Sequence, residues 1–404
     1  MVAAMETLLD WLNLLVRWLH LITGIAWIGA SFYFVMLDNS LTPPKKPEDA
    51  KRGVFGELWA VHGGGFYNSQ KYLTGPKGEP LSENLHWSKW EAYTTWLSGM
   101  GLLGLIYWYG ASSYLIDRNV MALTPLAGVA ISIAFITGGW FAYDFACRVL
   151  AGNENLLAGV MLALVMVSAW ALFHVFGARA AFVHVGAMIG TMMVANVFFH
   201  IIPGQKRMVA DIRAGREPDP TPGIVGKQRS VHNTYFTLPV LFVMISNHYP
   251  MTYSHPYGWL VLGVIMLAGV LIRQFFVLRH KGRTMWMLPA VAVVLLVGLA
   301  VALAPAAPSA SAAKGASAET ISFAQVKTVL DTRCISCHAT QPTQPGFAQP
   351  PKGIVLETPE QIGQNAAKIA ETVGNRYMPI GNLTQMTDEE RTIVTGWFAQ
   401  GAKR

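Results

Sequence analysis

The chain has 404 residues, 52% of them hydrophobic and only 13% charged, against roughly 25% charged in ordinary soluble domains. Its net charge of +7 comes without aromatic and basic residues interleaved, so the charge does not read as a nucleic-acid-binding surface. Three cysteines, two of them in one CxxC pair, exclude a disulfide framework. What remains is an all-α fold: a polytopic helical membrane bundle with room for one small soluble domain behind it.

Eight apolar segments are long enough to cross a bilayer as helices, at about 8–37, 93–115, 121–147, 154–176, 181–203, 232–250, 257–279 and 284–304. No basic stretch precedes the first, and no small-residue cleavage site interrupts it, so it is expected to be a retained helix. On it Arg17, His20, Gly24, Trp27 and Ser31 recur at spacings of three and four and share one face. Small Gly24 leaves room beside His20 for a flat macrocycle, and Arg17 could meet a haem propionate. With His184 or His248 as the second imidazole, this face is a candidate for a non-covalent b-type haem. A packing seam with a hydrogen-bonded His20 explains the pattern as well. The run from His20 to Gly29 also resembles the first helix of membrane haem-binding oxidases of the protoporphyrinogen oxidase type.

The connector after the first segment carries His62-Gly-Gly-Gly-Phe-Tyr67 and Leu85-His-Trp-Ser-Lys-Trp-Glu-Ala-Tyr93. Glycines among aromatics suggest a folded cap, such as a hairpin, over one face of the bundle. An aromatic belt anchoring the second helix is the blander alternative. Polar residues then gather toward the same side. Glu91 opens the second segment, and Asp144 and Arg148 pair at the end of the third. Asn196 and His200 share a face on the fifth, which ends at Gln205 and Lys206. His232, Asn233 and Thr237 open the sixth. Ionisable and amide groups inside spans are costly and usually functional. This set suits a flat, polar, anionic heterocycle, and equally a quinol headgroup or an ordered-water network. Cys147 reads as packing.

After the eighth segment comes an Ala/Pro/Ser linker, 305–318, and then a module from 319 to 404. It contains Cys334-Ile-Ser-Cys-His338, in which two cysteines one turn apart reach the two vinyl groups of haem and the histidine becomes the proximal iron ligand. A helix over 323–331 precedes the motif. Met378, in Tyr377-Met378-Pro379, is the expected sixth ligand, a thioether that raises the reduction potential. Met386 is its rival. Thr387-Asp-Glu-Glu390 is a capping box for a closing helix through Trp397. The module resembles class I cytochromes c, which implies one covalent haem c and electron transfer without substrate choice.

Haem is attached to such motifs outside the bacterial cytoplasm, which puts the module in the periplasm and, with an even helix count, the N-terminus too. Basic residues agree. Lys45, Lys46, Lys51 and Arg52 fall in the first connector, and Lys206, Arg207, Arg213, Arg216, Lys227 and Arg229 in the fifth. The connectors expected outside hold only Arg118 and Arg179.

The whole chain resembles the bacterial membrane-integral urate oxidase family, an eight-helix domain fused to a C-terminal cytochrome c. The matching stretches are 61–67, 85–93, 95–99, 196–206, 231–239 and 246–250. The resemblance implies oxidation of urate to 5-hydroxyisourate at the bacterial inner membrane. Electrons would leave through the c haem to a respiratory acceptor, a soluble cytochrome c or a terminal oxidase, without hydrogen peroxide. Within that reading His200 or His232 takes a proton, with Asn196 and Asn233 beside them. Gln205, Arg148, Glu91 and His62 are further substrate-binding candidates. A site on the cytoplasmic side would leave electrons roughly 30 Å of hydrocarbon to cross and would call for a relay such as haem b. A site at the periplasmic mouth would need the c haem alone. Two other readings are a quinol–cytochrome c oxidoreductase and a non-enzymatic redox sensor or carrier. The aromatic-glycine cap favours a water-soluble substrate.

Overall fold

The computed structural model describes residues 2–304, 320–344, 347 and 349–403; the expected linker, 305–318, lies outside them. The chain is mostly helical. α1 (Val2–Asn39) leads into the expected hairpin, β1 (Val54–His62) antiparallel to β2 (Gly65–Tyr72). At its tip Gly63 and Gly64 have φ of 59° and 79°, the left-handed pair that a two-residue turn of this twist requires. Lys71 of β2 meets Asp38 at the end of α1 at 2.6 Å, and Lys227 meets the same carboxylate.

α2 (Trp90–Leu103) continues into two π-helical turns, Gly104–Trp108 and Ala111–Leu115. α3 (Pro125–Val149) starts where the Thr124 hydroxyl accepts from the Ala127 amide at 3.3 Å, with Pro125 at its first position. α4 (Glu154–Phe173) starts at Asn153 in the same way. α5 (Ala178–Ala195) passes through a π turn, Asn196–Ile201, into α6 (Ile202–Arg213). α7 (Thr221–Ser246), α8 (Gly258–His280) and α9 (Met287–Ala302) complete the bundle.

Helices thus occupy all eight expected positions, but they are not alike. Among the described residues, five are long and apolar enough to cross a membrane: Thr7–Asn39, Pro125–Val149, Glu154–Phe173, Ala178–Arg213 and Gly258–His280. The second position is broken by its π turns. The sixth opens with Lys227, Arg229, His232 and Asn233, and α9 has only 16 residues.

α5 is the central helix, with Phe182, Val185, Met188, Ile189 and Met192 shut off from solvent. α3 reaches it because position 139 is glycine: a Cβ there would lie 2.4 Å from Met188 Cγ.

The C-terminal module has its own core, built on Val326, Leu330, Ile362, Val373, Val394 and Trp397. Its helices are α10 (Phe323–Arg333), the single turn α11 (Ile335–His338), α12 (Pro359–Gln364), α13 (Ala366–Gly374) and α14 (Asp388–Ala399). Capping boxes open α10, α12 and α14, the last being the expected Thr387–Glu390 pair. The module is seated on the bundle. Gly381 lies against the carbonyls of Ser113 and Ile116, and Tyr377 packs on the bundle's main apolar core.

Candidate active site

At the hairpin end of the bundle, α3, the 196–201 π turn and α7 bring together a closed polar network. Asp144 is its hub. Oδ1 accepts from Arg229 Nη2 at 2.7 Å and lies 2.7 Å from His200 Nε2, and Oδ2 meets Arg148 Nη2 at 2.6 Å. Arg229 also donates to Asn196 Oδ1 at 3.3 Å and stacks 5.0 Å over the Tyr143 ring. Asn196 Nδ2 donates to the Tyr143 hydroxyl at 2.8 Å and to Asn233 Oδ1 at 2.9 Å. Asn233 in turn donates to the Met193 carbonyl at 3.0 Å. Tyr143, whose oxygen already accepts from Asn196, donates to His232 Nδ1 at 2.8 Å, which leaves the His232 proton on Nε2, facing Glu154 at 3.7 Å.

Four expected residues, His200, His232, Asn196 and Asn233, therefore meet, and Arg148 joins them through Asp144. Tyr143 and Arg229 tie them together and are invisible to helix-face reasoning, because their partners come from other helices. The amides of Asn196 and Asn233 and the Tyr143 hydroxyl are all engaged within the protein. The network can hold and pass protons, but those groups are not free to grip a ligand. Glu91, Gln205 and His62 stand apart from it. Gln205 and His62 are exposed, His62 at the hairpin tip.

The residues weighed for a second haem each have their own surroundings. His20 donates from Nδ1 to the Thr95 carbonyl at 2.9 Å, with its ring on Gly99. Arg17 bonds Asn13 one turn back at 3.0 Å. His184 is fully buried and uses both nitrogens: Nδ1 donates to the Ala180 carbonyl at 2.8 Å, and Nε2 accepts from the Ser132 hydroxyl at 2.7 Å. His248 is exposed at the end of α7.

In the C-terminal module the motif residues suit a covalent haem. Cys334 caps the single turn α11 and Cys337 lies within it. His338 Nδ1 lies 2.8 Å from the Ile354 carbonyl, and since a carbonyl only accepts, that nitrogen carries the proton and Nε2 is the one presented to a metal. Burial pushes the Cys334 thiol up to about 12, so it is no loose thiolate. Met378 is half-buried, whereas Met386 is 3% exposed and packed with Cys334 in the module core. The Met378 loop is held by Arg391, whose Nη1 donates to the carbonyls of Met378 at 2.7 Å and Val373 at 2.9 Å.

At the other end of the bundle, beneath this module, lies a second polar group. Arg179, at the start of α5, donates from Nε to Asn247 Oδ1 at 2.9 Å, and the Tyr107 hydroxyl approaches the same oxygen at 3.4 Å. The guanidinium stands 6.0 Å over the Tyr114 ring. In the sequence Arg179 served only to orient the helices.

No curated protein and no solved structure matches the chain. A family model described as urate oxidase N-terminal matches residues 6–304, the whole helical bundle and three quarters of the chain. The chain belongs to the urate oxidase N-terminal family.

Proposed function

We propose that the chain is a membrane-integral urate-oxidising enzyme that hands electrons to a c-type haem held by Cys334, Cys337, His338 and Met378. The haem supplies a one-electron acceptor. Cys334 and Cys337 would anchor it, His338 Nε2 and the Met378 thioether would hold its iron, and Arg391 fixes the Met378 loop. The bundle binds urate and directs its proton loss. Electrons pass on to a respiratory acceptor, a soluble cytochrome c or terminal oxidase, so hydrogen peroxide need not form. The module and the N-terminus face the periplasm, in keeping with the lysines and arginines on the hairpin side. The hairpin-side network acts in this reading as a proton-holding clamp between α3, the π turn and α7, and not as the purine pocket, because its amides already have partners.

The observation that carries the proposal is the seating of the haem-motif module on a bundle of the urate oxidase family, with Tyr377, the neighbour of Met378, packed into the bundle core. The test is anaerobic addition of urate to the purified full-length protein while its haem spectrum is recorded. Reduction of the haem is expected. A spectrum that stays oxidised, from protein that dithionite does reduce, refutes the reading.

A further inference from the structure

We infer that urate binds as its monoanion at the module-covered mouth of the bundle, against Arg179 and Tyr253; this rests on the urate reading above. Three observations meet there. The first is a cation without an acid. Arg179 is partly buried, and among the described residues it forms no ion pair. Its contacts are neutral: Nε donates to Asn247 Oδ1 at 2.9 Å, and the guanidinium stands 6.0 Å over the Tyr114 ring. By contrast, Arg229 at the opposite end has Asp144. A partly buried guanidinium without a counter-ion favours binding an anion.

The second is an unpartnered hydroxyl. Tyr253 is 3% exposed, its hydroxyl has no hydrogen-bond partner, and it shares with Tyr107 the apolar core against which Tyr377 packs. A buried hydroxyl left unpaired is costly, and a urate carbonyl oxygen would accept from it. The tyrosine rings also offer flat faces to a flat purine.

The third is proximity to the electron acceptor. Tyr377 directly precedes the proposed iron ligand Met378 and belongs to the mouth. Gly381, three residues after Met378, lies against the carbonyl of Ser113, the neighbour of Tyr114. From Arg179 to Asn196, where the hairpin-side network begins, the α5 rod spans 17 residues, about 26 Å at 1.5 Å per residue. A donor at the mouth therefore needs no relay across the membrane.

The reaction balances there. Urate monoanion and water give 5-hydroxyisourate, one proton and two electrons. A C–O bond forms at the purine C5 and two electrons leave, for which a haem held by Cys334, Cys337, His338 and Met378 would be the one-electron carrier to the external acceptor. The proton goes to solvent.

Arg273 is the rival anion site. It is 4% exposed, Nε and Nη2 have no partner, and it stacks 4.2 Å over Phe32. It lies 15 residues along α8 from Gly258, about 22 Å from that end.

The test uses holoprotein reduced with dithionite, which can take no further electrons, so urate binding is read by equilibrium dialysis without turnover. Arg179→Gln is expected to raise Kd at least tenfold, Arg179→Lys to fall between, and Tyr253→Phe to raise it several-fold, with haem content unchanged. Should Arg179→Gln fail to load haem, Tyr253→Phe decides. The inference is overturned if Tyr253→Phe and Arg179→Gln bind urate like the parent. It is equally overturned if only Arg273→Gln loses binding, or if Arg179→Gln shifts the haem potential at constant Kd, which would assign the guanidinium to a haem propionate. Parent protein that binds no urate refutes the functional reading itself, a different result.

Discussion

Asp144→Ala would remove the carboxylate at the hub of the hairpin-side network. Arg229 is 2% exposed, and its Nη2 rests 2.7 Å from Asp144 Oδ1. Without that partner the guanidinium stays buried beside Arg148 and lacks a counter-charge. Breaking a buried pair from one side costs about 3–5 kcal/mol. Arg148, at 69% side-chain exposure, is screened, so Arg148→Ala should cost less than about 1 kcal/mol. The cycle is closed by Arg229→Met alone and by Asp144→Ala with Arg229→Met. The double variant buries no unpaired charge and should recover much of the loss, with an interaction energy of about 2 kcal/mol or more. Equilibrium unfolding in mixed micelles, followed by tryptophan fluorescence, measures each variant. A cost below about 1 kcal/mol for Asp144→Ala, or a double variant that equals the sum of the singles, would refute the claim that this pair clamps α3 to α7.

Three further outcomes are expected. Met378→Ala should lower the haem reduction potential and remove the thioether signature from the spectrum, whereas Met386→Leu should leave both in place; the reverse pattern would exchange their roles. Gly139→Val should destabilise the bundle by about 1–3 kcal/mol, because its Cβ would sit 2.4 Å from Met188 Cγ, and Met188→Ala in the same chain should relieve part of that in the same unfolding assay. Asp117, on the loop before α3, has its carboxyl raised by burial, partly offset by the Asn119 amide and by Arg391 and Arg376. A folded value above the unfolded one means the folded chain holds the proton more tightly. Stability is then greater below the unfolded value, about 3.9, and is lost as pH rises through the folded value. Asp117→Asn should flatten that slope, and an unchanged slope would assign it to other groups.

Much of the fold was legible because its signals are local. Apolar length marked a mostly helical chain with several long apolar helices, Thr387 and Glu390 announced the last cap, and adjacent glycines announced the hairpin. The polar start of α7 and the short α9 are written in composition too, yet segment length alone rates all eight as long enough to cross, against five among the described residues. What the π turns do to α2 is not, because one extra residue per turn leaves no periodic trace over five residues. The site was half legible. Asn196, His200, His232 and Asn233 declared themselves as polar groups in apolar runs. Spacing along one helix cannot say that Tyr143 of α3 and Arg229 of α7 saturate them across helices. The same limit hid the mouth: Arg179, Asn247, Tyr107 and Tyr377 come from four separate stretches of chain, and only folding puts them together. His62, Gln205 and Glu91 were drawn in by neighbouring aromatics and glycines, which serve the hairpin turn and the helix ends.

Arg391 links the two halves of the proposed electron path and gives the last prediction. It is 7% exposed, and Nη2 donates to Asn382 Oδ1 at 3.1 Å while Nη1 bridges the carbonyls of Val373 and Met378. One planar cation thus sets the loop whose Tyr377 packs on the bundle core and whose Met378 is the proposed haem ligand. Lysine keeps the charge but cannot reproduce a fork of fixed donors. Arg391→Lys should therefore loosen the Met378 ligand and the Tyr377 seat together. Each lost hydrogen bond to a charged donor is worth about 1.5–3 kcal/mol, so the loop should open well before the module core melts. The thioether signature and the protection of the 377–383 segment in hydrogen exchange are the two readouts. Loss of both at a common temperature, below unfolding of α10 and α14, is the expected result. If ligation is lost while the Tyr377 segment stays protected, the haem side and the bundle side are held independently, and the loop is not the mechanical link between substrate mouth and haem.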